Sequence, residues 1–540
     1  MPHKRLDQLP QHRDLLQHAQ AMSLPAMHLK HLLEDDQRLA SFSGKGAGLY
    51  FDYSRQRLTD ETIALLEAVA TRVDLHRRFE QMCHGAKINV TEQRAVLHTA
   101  TRNFEDRSIV VDQQDVLADI RRVCDEIRQF SSAIHNGDIT GSTGRPFRHV
   151  VVVGIGGSYL GTEFVSTALA AYADKNIRLH YLANVDIHNF GAVADAIDAP
   201  STLWIIISKS YTTAETMANA RLVKEFMDGK GLDPARHMVT VTAKGSPGDD
   251  PANPVIKSFH MFDFIGGRYS VTSAVGGVPL SLYLGYDAFE EFLIGASEMD
   301  AHARTAPVRH NLPMMAALIS VWNTTYLGYP QLAIIPYATP LAKLPPHVQQ
   351  LNMESNGKSV DIQGNFLPTP SGVVIFGEPG TNAQHSFFQL AHQGPALPID
   401  FIGVLTPQYR QFTSRSKGVT NHQELWSNML AQAKALATGE ENEDGARHFS
   451  GNRPSSTLVL EDLSPRNVGR LLSFYEARTV YEGFIWGINS FDQFGVQLGK
   501  TLASGLREEM ARRNLNGQYE FSTSDPIDQH YLDLLFGQKR

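Results

Sequence analysis

Cysteine is almost absent: Cys83 and Cys124 are the only two in 540 residues, with forty residues between them. No CxxC pair exists, so no zinc framework is expected, and a disulfide scaffold is excluded at this length. A reducing compartment fits. An excess of one charge is also missing. Lys and Arg number 49 against 57 Asp and Glu, a net of −8, which lacks the basic footprint of a dedicated nucleic-acid binder. Long hydrophobic runs are missing too. The first 22 residues carry charges throughout and no apolar segment, so no signal peptide is expected. The longest charge-free stretch, 311–342, contains Asn323, Thr324, Thr325 and four prolines, which argues against a membrane span. What remains is ordinary: 42% hydrophobic, 20% charged and 9% aromatic residues. A chain this long buries a large core unaided, and about 150 residues per domain suggests three or four units. The expectation is a soluble, cytoplasmic, globular protein with neither membrane nor nucleic acid as partner.

The first 110 residues read as helical. Ile63, Leu66, Val69 and Val73 recur near a period of 3.6. Asn89 with Glu92 three residues on reads as a helix cap; Asn89-Val90-Thr91 also matches a glycosylation sequon, which the missing secretory signal disfavours. From about 147 the texture changes. RHVVVVGIGGS, NIRLHYLANVD, STLWIIISKS and RHMVTVTAKG follow one another with helical segments between. Continuous apolar strands alternating with helices predict a parallel sheet covered on both faces, an α/β doubly wound unit. A second run, QLAIIPYA, SGVVIFGEPG and PIDFIGVLT, predicts a smaller α/β unit extending to about 500. Residues 439–456 read as an exposed charged loop, and the tail after 500 as amphipathic helix.

Ligands of such sheets bind beyond the carboxyl ends of the strands. After the first strand comes GIGGSYLG (154–161), where Tyr159 stands in place of the third glycine of a dinucleotide fingerprint. Gly157 and Ser158 then serve either an anion at a helix start or only a tight turn. After the third strand, Ser208-Lys209-Ser210-Tyr211-Thr212-Thr213 offers four hydroxyls before a helix, more than capping requires; this favours a phosphate monoester. Lys209 contributes its charge or only its backbone N–H. Arg268 lies among glycines and small hydroxyl residues, suited to an oxyanion or to a structural ion pair. QQLNMESNGKS (349–359) fails as a P-loop because Asn352 stands where glycine is required. It leaves Glu354 in a polar, glycine-containing turn near Gln350. His385 falls beyond a strand end; His392, seven residues on, reads as a satisfied buried histidine. Lys500 by itself reads as a surface residue.

GIGGSYLG, SKSYTTAET, GGRYSVTSAVG, QLNMESNGK, PGTNAQHSFFQLAHQG and GVQLGK occur in that order and resemble the phosphoglucose isomerase family. INVTEQRAVLH is similar as well, so the resemblance spans about 50–505. Gln497 replaces the usual Glu of GVELGK, and Ser210 a usual Thr. The resemblance implies two doubly wound parallel-sheet sugar-isomerase (SIS) domains, 120–290 and 291–500, with a helical N-terminal extension (1–119) and a helical C-terminal arm (501–540). It implies an aldose–ketose isomerase acting on a hexose 6-phosphate, with no metal and no cofactor, as a homodimer whose subunits share each active site. By position, Gly157, Ser158, Ser208, Lys209, Ser210 and Thr213 correspond to the 6-phosphate holders. Glu354 corresponds to the base between C2 and C1, and Arg268 to the cation facing the enediolate. His385 and Lys500 match the ring-opening groups, and Gln350 and Gln493 the sugar contacts. The rival readings are a non-catalytic sugar-phosphate sensor, which needs none of Glu354, His385, Lys500 and Arg268, and a nucleotide-dependent dehydrogenase or kinase, whose fingerprints Tyr159 and Asn352 break.

Overall fold

The computed structural model describes residues 5–105 and 108–537. By its internal contacts the chain divides into two units, residues 1–491 and 492–540.

Two sheets organise the first unit. The hairpin β1 (Ser43–Gly46) and β2 (Leu49–Asp52) comes first. Then follow β3 (His149–Val153), β4 (Arg178–Leu182), β5 (Thr202–Ile207), β6 (Met238–Ala243) and β7 (Lys257–Met261). The last four are β8 (Gln331–Pro336), β9 (Val374–Phe376), β10 (Ile399–Thr406) and β11 (Ser455–Asp462). The first sheet has the order β4-β3-β5-β6-β7, every pair parallel. The second has the order β1-β2-β11-β10-β8-β9. Its four late strands are parallel, and the early hairpin adds antiparallel along β11. In both sheets the first parallel strand lies between the second and the third. The architecture repeats although the sequence does not.

β5 is buried at every position and β3 at all but His149, as their unbroken apolar runs require. The early hairpin departs from the all-helical expectation for the first 110 residues. Leu49 and Phe51 turn inward against β11, and each has an intermediate neighbour, the alternation of a strand covered on one side. Asn89 caps no helix. Its amide donates to Glu92 within a turn closed by an Asn89–Arg94 bridge. The segment 439–456 is exposed only in its charged part, since Gly451 and residues 453–456 are buried and lead into β11.

Five helices carry candidate residues or pack beside them: α1 (Leu160–Ala168), α2 (Ala214–Gly229), α3 (Leu344–Asn356), α4 (Pro465–Trp486) and, in the second unit, α5 (Gln497–Leu515). One apolar cluster runs from Val150 and Ile205 of the first sheet through α3 and α4 to Ile334 and Ile402 of the second. Every residue of α4 except Arg466 and Arg470 is buried. Its close crossing with the helix Tyr286–Thr305 depends on two glycines. A methyl group built on Gly469 would stand 2.0 Å from the Phe292 carbonyl oxygen, and one on Gly295 1.8 Å from that of Arg466. Among the described residues no helix is long and apolar enough to cross a membrane.

Candidate active site

In an open parallel sheet the crevice forms where the strand order reverses, beyond the carboxyl ends. In the first sheet that point lies between β3 and β5. The loops leaving these two strands are the glycine-rich 154–158 and the hydroxyl-rich 208–213. Gly154 and Ser158 are stacked so tightly that a methyl group on Gly154 would lie 2.8 Å from the Ser158 Cβ and 3.2 Å from the Ile207 carbonyl oxygen. Ser158 therefore sits over the end of β5. The Ser208 and Thr213 hydroxyls are 3.2 Å apart, and those of Ser210 and Thr212 2.6 Å apart. Thr213 is the N-cap residue of α2, yet its side chain makes no capping bond. Its hydroxyl is left for another acceptor or donor, beside first-turn amides that no helical carbonyl satisfies. Such a terminus favours an anion. The Lys209 ammonium turns to Asp263, 3.2 Å from the carboxylate and 3.1 Å from the backbone carbonyl.

The glycine loop also touches the arginine loop. A methyl group on Gly157 would stand 2.2 Å from the carbonyl carbon of Gly267 and 2.7 Å from the Arg268 nitrogen. Only hydrogen fits there. Ser270 donates to the Gly157 carbonyl at 3.3 Å, closing the contact. Arg268 is buried. Its Nε donates to Ser355 Oγ at 2.7 Å, one Nη to the Ser490 carbonyl at 2.7 Å, and the other lies 3.5 Å from Glu354 Oε2. Gln350 Nε2 donates to the same oxygen at 3.0 Å. Gly156, in the left-handed region at φ 59°, comes so near that a methyl group on it would meet Gln350 Nε2 at 3.2 Å. Two cationic or polar N–H groups thus hold Oε2. Among the described residues Oε1 of Glu354 makes no hydrogen bond, and the side chain keeps 25% of its surface open. This is the geometry of a fixed carboxylate with one free oxygen.

Glu354 lies on the last turn of α3, not in the turn expected from its polar neighbours; the chain turns only at Gly357. The buried stripe of α3 is Leu344, His347, Val348, Leu351, Asn352, Ser355 and Asn356, the i, i+3, i+4 spacing of one helix face. Gln350 and Glu354 share the adjoining edge, four residues apart. His347 stacks on Phe164 of α1 at 5.7 Å with an 11° interplanar angle. Neither of its ring nitrogens has a partner among the described residues, and burial pushes its pKa down to about 4.

The model of the phosphoglucose isomerase family matches residues 52–527. The chain belongs to that family. The glucose-6-phosphate isomerase of Desulfosudis oleivorans is 62% identical over 538 residues, covering 99% of this chain and 98% of that protein. The cytosolic glucose-6-phosphate isomerase of Spinacia oleracea is 45% identical over 92% of each. A crystal structure of a glucose-6-phosphate isomerase from Chlamydia trachomatis matches with a TM-score of 0.90 at 36% identity, covering 99% of this chain and 100% of that one. A Thermus thermophilus protein, TM-score 0.65 at 24% identity, shares the fold. The protein is an enzyme of the isomerase class.

Of the residues that the phosphoglucose isomerase motifs single out, the first unit brings together Gly157, Ser158, Ser208, Ser210, Thr213, Arg268, Gln350 and Glu354, with Lys209 directed to Asp263. His385 lies elsewhere. It follows the short helix Gly380–Gln384 at the carboxyl end of β9, exposed on the lip of an open cavity with Glu378, Thr381 and Asn382. Gln493 and Lys500 belong to the second unit. Gln493 precedes a single 3₁₀ turn, and Lys500 is exposed on the first turn of α5. His392 is half-buried and bonded to Gln432 at 2.8 Å. Reading the sequence pointed to Ser355 and Asn356 as hydrogen-bonding neighbours of Glu354, but missed Tyr269, whose hydroxyl is 3.1 Å from Ser355 Oγ, and Ser490. Ser355 was adjacent to Glu354 and so within reach of the motif. Ser490 carried no signal. Among the described residues no cluster of His, Cys, Asp and Glu could hold a metal ion.

Proposed function

We propose that this isomerase interconverts D-glucose 6-phosphate and D-fructose 6-phosphate, by ring opening and proton transfer between C2 and C1 through a cis-enediolate. The observation that carries the reading is the placement of Glu354. Its carboxylate is pinned at one oxygen by Gln350 and Arg268, one glycine loop away from a hydroxyl-lined helix start. The name of the 62% identical relative supports the substrate.

The 6-phosphate docks on Ser158, Ser208, Ser210, Thr213 and the backbone of Gly157 and Lys209. Its charge meets the amides at the start of α2. Ring opening falls to His385 and Lys500, and Gln350 and Gln493 contact the sugar. Glu354 takes the C2 proton on its free oxygen and returns it to C1. The enediolate oxygens face Arg268, a fixed cation already desolvated before reaction. Hydrogen moves within one molecule, so the step balances without an oxidant, a metal or a cofactor. A positioned base supplies about 10²- to 10⁴-fold, roughly 3 to 5 kcal/mol. That is too little alone. Binding energy from the unreacting phosphate aligns C1 and C2 against Glu354, and Arg268 stabilises the charge.

His385 is exposed and makes no hydrogen bond or ion pair with Glu354 among the described residues, which fits an active site completed by a second copy of the chain. The 19-residue α5 buries none of its residues, and Leu498 and Leu502 are 70% and 61% exposed; a homodimer would cover them. The cytosolic relatives support action in the cytoplasm, and the proposed reaction is one of glycolysis and gluconeogenesis. The division into SIS domains at 120–290 and 291–500 belongs to the same reading, with the early hairpin joining the second sheet from outside those ranges. Purified protein without added metal or nucleotide is expected to convert fructose 6-phosphate to glucose 6-phosphate in a coupled assay. No conversion under those conditions overturns the reading.

A further inference from the structure

Helix α4 is enclosed, yet it carries Glu476, Arg478 and Glu482. Buried ions persist only when paired and hydrogen-bonded. Arg478 joins Asp400 at 2.5 Å and Glu482 Oε1 at 3.1 Å. That leaves two carboxylates on one guanidinium, and the surplus charge is met by amides. Glu482 Oε2 accepts from Asn352 Nδ2 at 2.6 Å and from Asn356 Nδ2 at 3.1 Å.

These asparagines lie four residues apart on α3, with Glu354 midway between them. At about 100° per residue they occupy the face opposite Glu354. The grip continues forward. Asn356 Oδ1 accepts from Ser490 Oγ at 2.7 Å, and the Ser490 carbonyl takes an Arg268 Nη. Gly483 makes room for this, since a methyl group there would stand 1.8 Å from Ser490 Oγ. The carbonyls of a helix's last turn have no helical N–H partners beyond it, and that turn is the one that frays. Here one carboxylate fastens that turn from behind and, through Asn356 and Ser490, fixes the arginine in front.

We propose that Glu482 is a positioning residue, holding Glu354 and Arg268 in mutual register through Asn352, Asn356 and Ser490 without touching substrate. The proposal rests on the reading of Glu354 as the base.

The test compares Glu482→Met, Glu482→Gln and Asn352→Ala with Glu354→Gln. For each, kcat and KM for fructose 6-phosphate are measured separately, with a melting curve to establish folding. Displacing a base by about 1 Å costs on the order of 100-fold. Glu482→Met is therefore expected to lower kcat by about 10- to 100-fold with KM within about threefold. Glu482→Gln keeps an oxygen for the two asparagines and should recover kcat to within about fivefold of wild type. Folded Glu482→Met with wild-type kcat overturns the proposal, as does a KM that rises as much as kcat falls. If Glu482→Met does not fold, Asn352→Ala decides: a several-fold lower kcat at constant KM supports the proposal, and an unchanged kcat overturns it. Glu354→Gln separates the two layers. Inactivity there keeps the base reading whatever Glu482 does, whereas full activity removes the base reading itself.

Discussion

The two sheets share one strand order but not one chemistry. Each places its first parallel strand between its second and third, and each therefore has a crevice beyond that strand. In the first sheet the residue after the strand is Gly154, and the crevice opens onto Ser158, Ser208 and Thr213. In the second it is Tyr337, which is buried. The Tyr337 ring packs so closely under Gly380 that a methyl group there would lie 2.5 Å from it, and its hydroxyl donates to Gln384 at 3.1 Å. Topology supplies a crevice twice, and the side chain after one strand decides whether the protein itself fills it.

Substitutions sharpen that contrast. The largest effect belongs to Glu354→Gln, which is expected to lower kcat by about 10³-fold or more, abolish C2-proton exchange and leave KM nearly unchanged. Isotope exchange into substrate measures this; retained exchange breaks the assignment of the base to the first crevice. Next is His347, the imidazole between α1 and α3. Its folded pKa of about 4 lies below the usual 6.5. The unfolded chain thus binds the extra proton first. The stability linked to His347 is complete above about pH 6.5 and is lost as pH falls towards 4, by up to about 3 kcal/mol. His347→Phe should flatten the melting temperature over that window, and an unchanged slope would show that the ring titrates normally.

Gly157→Ala comes third. The added methyl drives against the Gly267 carbonyl and displaces Arg268, so kcat/KM is expected to fall about 100-fold by steady-state kinetics. A wild-type value would mean the loops separate at little cost. The smallest pair bears most directly on the comparison. Ser208→Ala with Thr213→Ala should raise KM about tenfold or more through lost phosphate contacts. Tyr337→Phe, in the matching crevice of the second sheet, should cost about 1 kcal/mol of stability and leave KM alone. If both variants raised KM equally, the two crevices would not be distinct.

The parallel strands β3 to β6 and β8 to β10, with the loops after them, were legible because long apolar runs bounded by glycine and serine are a local signal. The parallel strands β7 and β11 went unread, β11 because it begins inside the stretch taken for an exposed loop. The hairpin β1–β2 was missed as well. SGKGAGLYFD is short and glycine-rich, and its partner β11 lies some 400 residues away. The helix α3 was misread at Glu354 for a related reason. Asn352 and Asn356 stand on its buried face, where periodicity calls for apolar residues and where asparagine favours turns. They belong there because a carboxylate 130 residues away receives them. The motif thus pointed to Glu354, whereas the bonds that tie its helix to Glu482 only make sense in three dimensions.

The enclosure of α4 bears on how the enzyme comes apart. Its apolar surroundings join both sheets in one cluster, so neither sheet keeps a finished interior when the other melts. Residues 5–491 should lose structure in a single sigmoidal transition. A chain severed between the two sheets would yield halves that recover activity only when refolded together.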